Sequence, residues 1–114
     1  MRGPLSTLFS RLAETRLTLD DLLGEQSIPV PDVLAELQRC RAAAEACLAW
    51  KGADDRERSV RSVAEGAIRS CLDAIHMAEL GLARNRRDMV ESANENLASA
   101  HERVVAISRS LNDR

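Results

Sequence analysis

Apolar residues recur along this chain at steps of three and four, the spacing that lines one face of a helix with about 3.6 residues per turn. Leu5, Leu8, Leu12, Leu19, Leu22 and Leu23, with Phe9 beside them, predict a first helix over about 5–23, and Gly24 is its natural stop. Glu25 to Pro31 reads as a loop, because Pro29 and Pro31 lack an amide donor and bias the residues before them toward extended backbone. Pro31 and Asp32 suit the start of a second helix over about 32–51, with proline at an early position and a carboxylate at the positive end of the dipole. Its seam is Val33, Leu37, Cys40, Ala44 and Cys47, flanked by Leu34 and Leu48, and Gly52 falls just past its end.

Asp54 and Glu57 have capping-box spacing and open a third helix over about 54–80, with Gly81 and Asn85 helping to end it. Its apolar face runs through Val60, Val63, Ala64, Ala67, Ile68, Cys71, Leu72, Ala74, Ile75 and Ala78, wide enough to touch two neighbours. Asp88 and Glu91 repeat the start signal. Val90, Ala93, Leu97, Ala100, Val104, Ile107 and Leu111 then form a heptad and predict a fourth helix over about 88–111. A sustained 3.5-residue repeat implies helices crossing at about 20°. The fold expected is all-α, a single domain spanning 1–114, built as an antiparallel up-down-up-down four-helix bundle with a longer C-terminal helical hairpin that projects beyond it. That topology places Asp20, Asp21, Glu25 and Asp32 near Arg84, Arg86 and Arg87, and Trp50 at the other end beside the N-terminal segment.

Composition agrees with helices. Apolar residues make up 45% of the chain but aromatics only 2%, with no tyrosine, so the core is assembled from Leu, Val, Ile and Ala. With 16 basic against 18 acidic residues the net charge is −2, which provides no positive field to draw nucleic acid. No apolar run approaches the ~20 residues that cross a bilayer, so a membrane is not an expected partner and the cytoplasm is the default address. Met1 to Leu19, with Arg2, Arg11 and Arg16, resembles a mitochondrial transit peptide. Glu14, Asp20, Asp21 and the apolar period running on to Leu23 favour a true first helix.

Candidate chemistry is sparse. Asp73 and His76 stand three apart, half of a di-iron carboxylate and histidine pattern, but their register points away from the apolar face. His101 borders the seam beside Ala100, with no nucleophile or orienting group near it in sequence. Cys40, Cys47 and Cys71 form an odd set without a CxxC pair and lie on apolar faces, as structural thiols do. Arg56, Arg58 and Arg61 are interspersed with Asp54, Asp55 and Glu57, as on a solvated surface. No catalytic residue, metal ligand or cofactor is expected, and the chain does not read as an enzyme.

What remains is contact. Met77, Leu80, Met89, Leu17 and Val105 fall off the main seams, and the first three are expected to gather near the third loop as a docking patch. The expected function is protein binding, as an adaptor, chaperone or immunity-type inhibitor, with another protein as partner. The alternative is a homodimer built on the fourth-helix heptad. Trp50-Lys51-Gly52, in a turn between helices, resembles the Trp-x-Gly turn of the small helical-hairpin substrates of type VII secretion, and that resemblance implies a secretion substrate. It covers three residues. Those proteins are usually two long helices, whereas Pro29, Pro31 and Gly81 to Asn85 interrupt this chain, and no tyrosine is present for their export signal.

Overall fold

The computed structural model describes residues 4–24, 29–52 and 54–112. They form α1 (Pro4–Leu23), α2 (Val30–Ala49), α3 (Asp55–Ala83) and α4 (Arg87–Asn112). Each helix packs on the next, α1 closes the ring against α4, and the diagonal pairs do not meet. Antiparallel order is visible residue by residue. Arg16 meets His101, Asp20 meets Asn94 and Leu23 meets Arg87, so numbers rise along α1 as they fall along α4. Arg41 with Glu79 and Leu48 with Arg61 show the same for α2 and α3. The bundle is therefore up-down-up-down, as the short connections demand.

One continuous core runs through all four helices. It takes Leu5, Leu8, Leu12 and Leu19 from α1, the whole expected seam of α2, and Ala64, Ala67, Ile68, Cys71, Ala74, Ile75 and Ala78 from α3. The α4 heptad from Val90 to Val104 is buried with them. Each buried Leu or Ile contributes about 1.5–3 kcal/mol on leaving water. The alanines contribute less individually, but their small size lets α3 and α4, the most extensively packed pair, approach closely. That close approach narrows the contact strip. Val63, expected on the apolar face, lies outside it at 67% exposure.

The glycine at 81 does not stop α3, which runs three residues beyond the expected end. Gly81 is instead a point of close approach to α4, since a Cβ there would sit 2.9 Å from Val90 Cγ2 and 3.0 Å from Met89 Cβ. The helix ends at Ala83, and the turn that closes it passes through Asn85, whose φ of 54° is left-handed. The Arg86 amide donates to the Gly81 carbonyl at 2.8 Å and the Asn85 amide to Leu82 at 3.3 Å, the paired bonds of a Schellman cap. Asp54 caps the start of α3 as expected, its Oδ1 accepting from the Glu57 amide at 2.8 Å. Asp88 does not form the expected box. It lies inside the first turn of α4 and holds the Arg86 guanidinium through two bonds of 3.0 and 2.8 Å.

The hairpin of α3 and α4 is longer than its neighbours, 29 and 26 residues against 20 and 20. Its tip is nevertheless level with the end of α1, because the Arg87 guanidinium donates to the Leu23 carbonyl. The surplus of α3 over α2 lies at the opposite end, where the linker folds back along it. Gly52, at φ 80°, passes so close that a Cβ would lie 2.8 Å from the Arg58 amide nitrogen. The expected meeting of acidic and basic loops takes another form. Arg86 pairs with Asp88 and Arg87 with Glu91, both on their own segment, because a carboxylate two to four residues away costs less ordering than one across a loop. Glu25 lies outside the described residues.

Neither α1 nor α2 has a basic residue in its last turn. Their terminal carbonyls are met from neighbouring helices instead. Arg87 reaches Leu23, and Arg61 donates to the Leu48 carbonyl at 2.6 Å while also holding Glu65.

Candidate functional site

The five residues expected to form an interface do not gather in one place. Leu17 points outward from α1 at 64% exposure. Met77 and Leu80 are half-buried, and Met77 packs against the core and lines a shallow groove between α3 and α4 with Asp73, Asn96 and Arg103. Met89 is half-buried against Gly81. Met89 thus takes part in the close α3–α4 packing, while Met77 lines the groove between the same two helices. Val105 lies in a second cleft, which also collects charge.

That cleft, of about 340 Å³, lies between α1 and α4 and is lined by Arg16, His101, Glu102, Val105, Ala106 and Arg109. Its geometry follows from the antiparallel register, which brings residues 85 apart in sequence into contact. Arg16 Nη1 stands 2.8 Å from His101 Nδ1. A guanidinium has only donors, so Nδ1 accepts, and the imidazole in this contact is the neutral form carrying its proton on Nε2. Nε2 is buried without a hydrogen-bond partner. Phe9 meets the same ring edge-on, with centroids 5.3 Å apart. Burial first, and then the Arg16 charge, hold His101 below the usual histidine range, while Glu102 acts in the opposite direction.

Arg16 differs from its counterparts. Four arginines are half-buried among the described residues: Arg11, Arg16, Arg41 and Arg61. Arg11 pairs with Glu14, Arg41 with Glu79 and Arg61 with Glu65. Arg16 has a neutral imidazole and, among the described residues, no carboxylate within ion-pair distance. Arg109, exposed at the other side of the cleft, likewise has no ion pair among the described residues.

The remaining candidates separate from this cleft. Asp73 and His76 are both exposed on α3, as their register implied. The three thiols are fully buried, and Cys71 of α3 lies near enough to Cys40 and Cys47 of α2 to feel both. Burial pushes Cys40 and Cys47 from an ordinary 9.0 to about 11 and Cys71 to about 12. The Thr15 hydroxyl faces Cys40 and partly offsets this, although it makes no hydrogen bond of ordinary geometry. Thiols so protonated are poor nucleophiles and poor ligands. The fourth-helix heptad, expected to offer a dimer seam, is occupied within the chain from Val90 to Val104, where Val90, Ala93, Leu97, Ala100 and Val104 are between 0% and 4% exposed, while Ile107 is partly buried and the Leu111 side chain lies outside the described residues. Trp50 caps α2 in extended backbone and packs against the core, and Gly52 makes the turn that follows.

Among the described residues no helix is long and apolar enough to cross a membrane. No protein-family model, curated protein or solved structure matches the chain significantly.

Sequence reasoning missed the cleft because nothing local marks it. Arg16 reads as one of several surface arginines and His101 as a boundary histidine. The signal was the topology itself: once α1 and α4 are placed antiparallel, residues in the middle of α1 face residues near 100.

Proposed function

We propose that the protein works by docking a partner protein along its α1–α4 face, in the manner of an adaptor, chaperone or immunity-type inhibitor. The observation that carries this reading is the cleft holding Arg16, His101 and Val105, flanked on α1 by half-exposed Phe9. An apolar floor beside convergent polar groups is the arrangement that fixes a ligand's place and orientation. Two neighbouring helices forming a shallow trough suit an elongated peptide or helix more than a small metabolite.

A photo-crosslinking amino acid placed at Val105, compared with one at exposed Val63 on α3, tests the reading in the native host. One defined heterologous adduct from position 105 and none from position 63 is the expected result. Equal adducts from both positions, or an adduct only with a second copy of this chain, would overturn it, the latter in favour of a homodimer.

A further inference from the structure

We infer that the α1–α4 cleft receives a carboxylate side chain, presented beside an apolar residue on an acidic segment of the partner, with Arg16 and Arg109 as its donors. The inference rests on the docking reading above and adds the chemistry of what is docked.

Charge makes the first part of the case. A half-buried guanidinium without a counter-ion among the described residues has lost part of its hydration and gained only a neutral acceptor in return, so an incoming carboxylate finds a partially desolvated cation. Among the described residues the other half-buried arginines each have a carboxylate and this one does not. Glu102 lines the same cleft and is not within ion-pair distance of Arg16 or Arg109. Planar guanidinium forks fit a carboxylate's two oxygens, which gives geometric selection as well as attraction.

The net charge of the cleft selects among anions. Two guanidiniums against the Glu102 carboxylate, with His101 neutral, leave a single positive charge. That matches a monoanionic carboxylate. A phosphate monoester carries about −1.5 to −2 at neutral pH, and Glu102 would repel the excess. The chain as a whole, at net −2, also draws no polyanion from a distance. Shape completes the case. Val105 and Ala106 supply apolar lining beside the charged groups, and about 340 Å³ is room for a carboxylate side chain with an apolar neighbour.

The test is a two-dimensional NMR titration of the isotopically labelled full chain with three probes: the blocked tripeptide acetyl-Leu-Glu-Leu-amide, its glutamine counterpart, and inorganic phosphate. The glutamate peptide is expected to shift the Arg16 and Arg109 side-chain signals and the Val105 methyls saturably. The glutamine peptide should bind about tenfold more weakly or less well still, as loss of a charge-assisted hydrogen bond implies. Arg16→Gln and the exposed Arg109→Gln should each weaken the glutamate peptide by a similar factor while leaving the helical circular dichroism intact. Equal binding of the glutamine peptide would overturn the carboxylate assignment and leave the docking reading standing. Phosphate saturating the same signals as tightly would overturn the choice of a carboxylate over other anions. Absence of saturable shifts at Arg16 and Val105 would overturn the inference, while the crosslink at Val105 judges the docking reading separately.

Discussion

Arg16 on α1 holds His101 on α4 through a bond of 2.8 Å that exists only while the imidazole is neutral. Protonation would give Nδ1 a hydrogen and set two cations against each other. Burial and Arg16 lower the affinity of His101 for a proton, and Glu102 only partly opposes them. The unfolded chain therefore binds this proton more readily than the folded one, so stability falls as pH drops through the unfolded histidine value of about 6.5 and levels off below the lowered folded value. A melting series between pH 7.5 and about 5 should show the midpoint falling, and His101→Gln should flatten that part of the slope. A wild-type midpoint independent of pH over this range would count against the Arg16–His101 contact.

The three thiols make a second prediction. With their pKa values at about 11 to 12, almost no thiolate is present at neutral pH. A thiol-specific chromogenic reagent should label none of them quickly in the native protein and all three in denaturant. Because folding raises these values, the folded chain keeps protons that the unfolded chain releases above 9.0. Stability should accordingly decline as pH rises above that point, and less so when Cys40 and Cys71 are replaced by alanine.

Two glycines of α3 should respond in opposite directions. At Gly81 an added methyl meets Val90 and Met89 of α4 at 2.9 to 3.1 Å, with backbone nitrogen among the contacts. Gly81→Ala should destabilise by about 1–3 kcal/mol through forced separation of the helices. At Gly66 the methyl would meet only the end of the Arg103 side chain, at 3.0 Å, which can swing aside. Gly66→Ala should stabilise by about 0.5–1 kcal/mol, the helix-propensity difference. Denaturant midpoints of the two variants decide both signs.

Asp54 provides a fourth. Its carboxylate satisfies the Glu57 amide at the open end of α3. Asp54→Ala should cost about 0.5–2 kcal/mol in chemical denaturation, and Asp54→Ser should recover most of it. Equal losses in both variants would mean that the cap contributes through charge rather than through the hydrogen bond.

The sequence made the architecture legible because repeating units announce themselves locally. Leu5 to Leu23, Val33 to Cys47 and Val90 to Val104 each declare a face within a few residues, and Asp54 with Glu57 marks a start. Gly81 misled for the same reason: a glycine near a helix end reads as a stop, and only the neighbouring helix reveals that it is a clearance for Val90. The cleft was illegible because it depends on which helices are adjacent and in what register. Met89 was expected in an exposed patch, and that it packs on Gly81 depends on how deeply α4 settles onto α3, which periodicity does not express.

The arginines that reach across to the ends of α1 and α2 have a consequence for how the bundle comes apart. Leu23 and Leu48 carbonyls are satisfied by Arg87 and Arg61, which belong to α4 and α3. Neither shorter helix can keep its last turn ordered once its neighbour has moved away, so fraying at one helix end reports the departure of another. Amide exchange at the ends of α1 and α2 should then follow the opening of the α3–α4 hairpin, making the molecule's edges as cooperative as its interior.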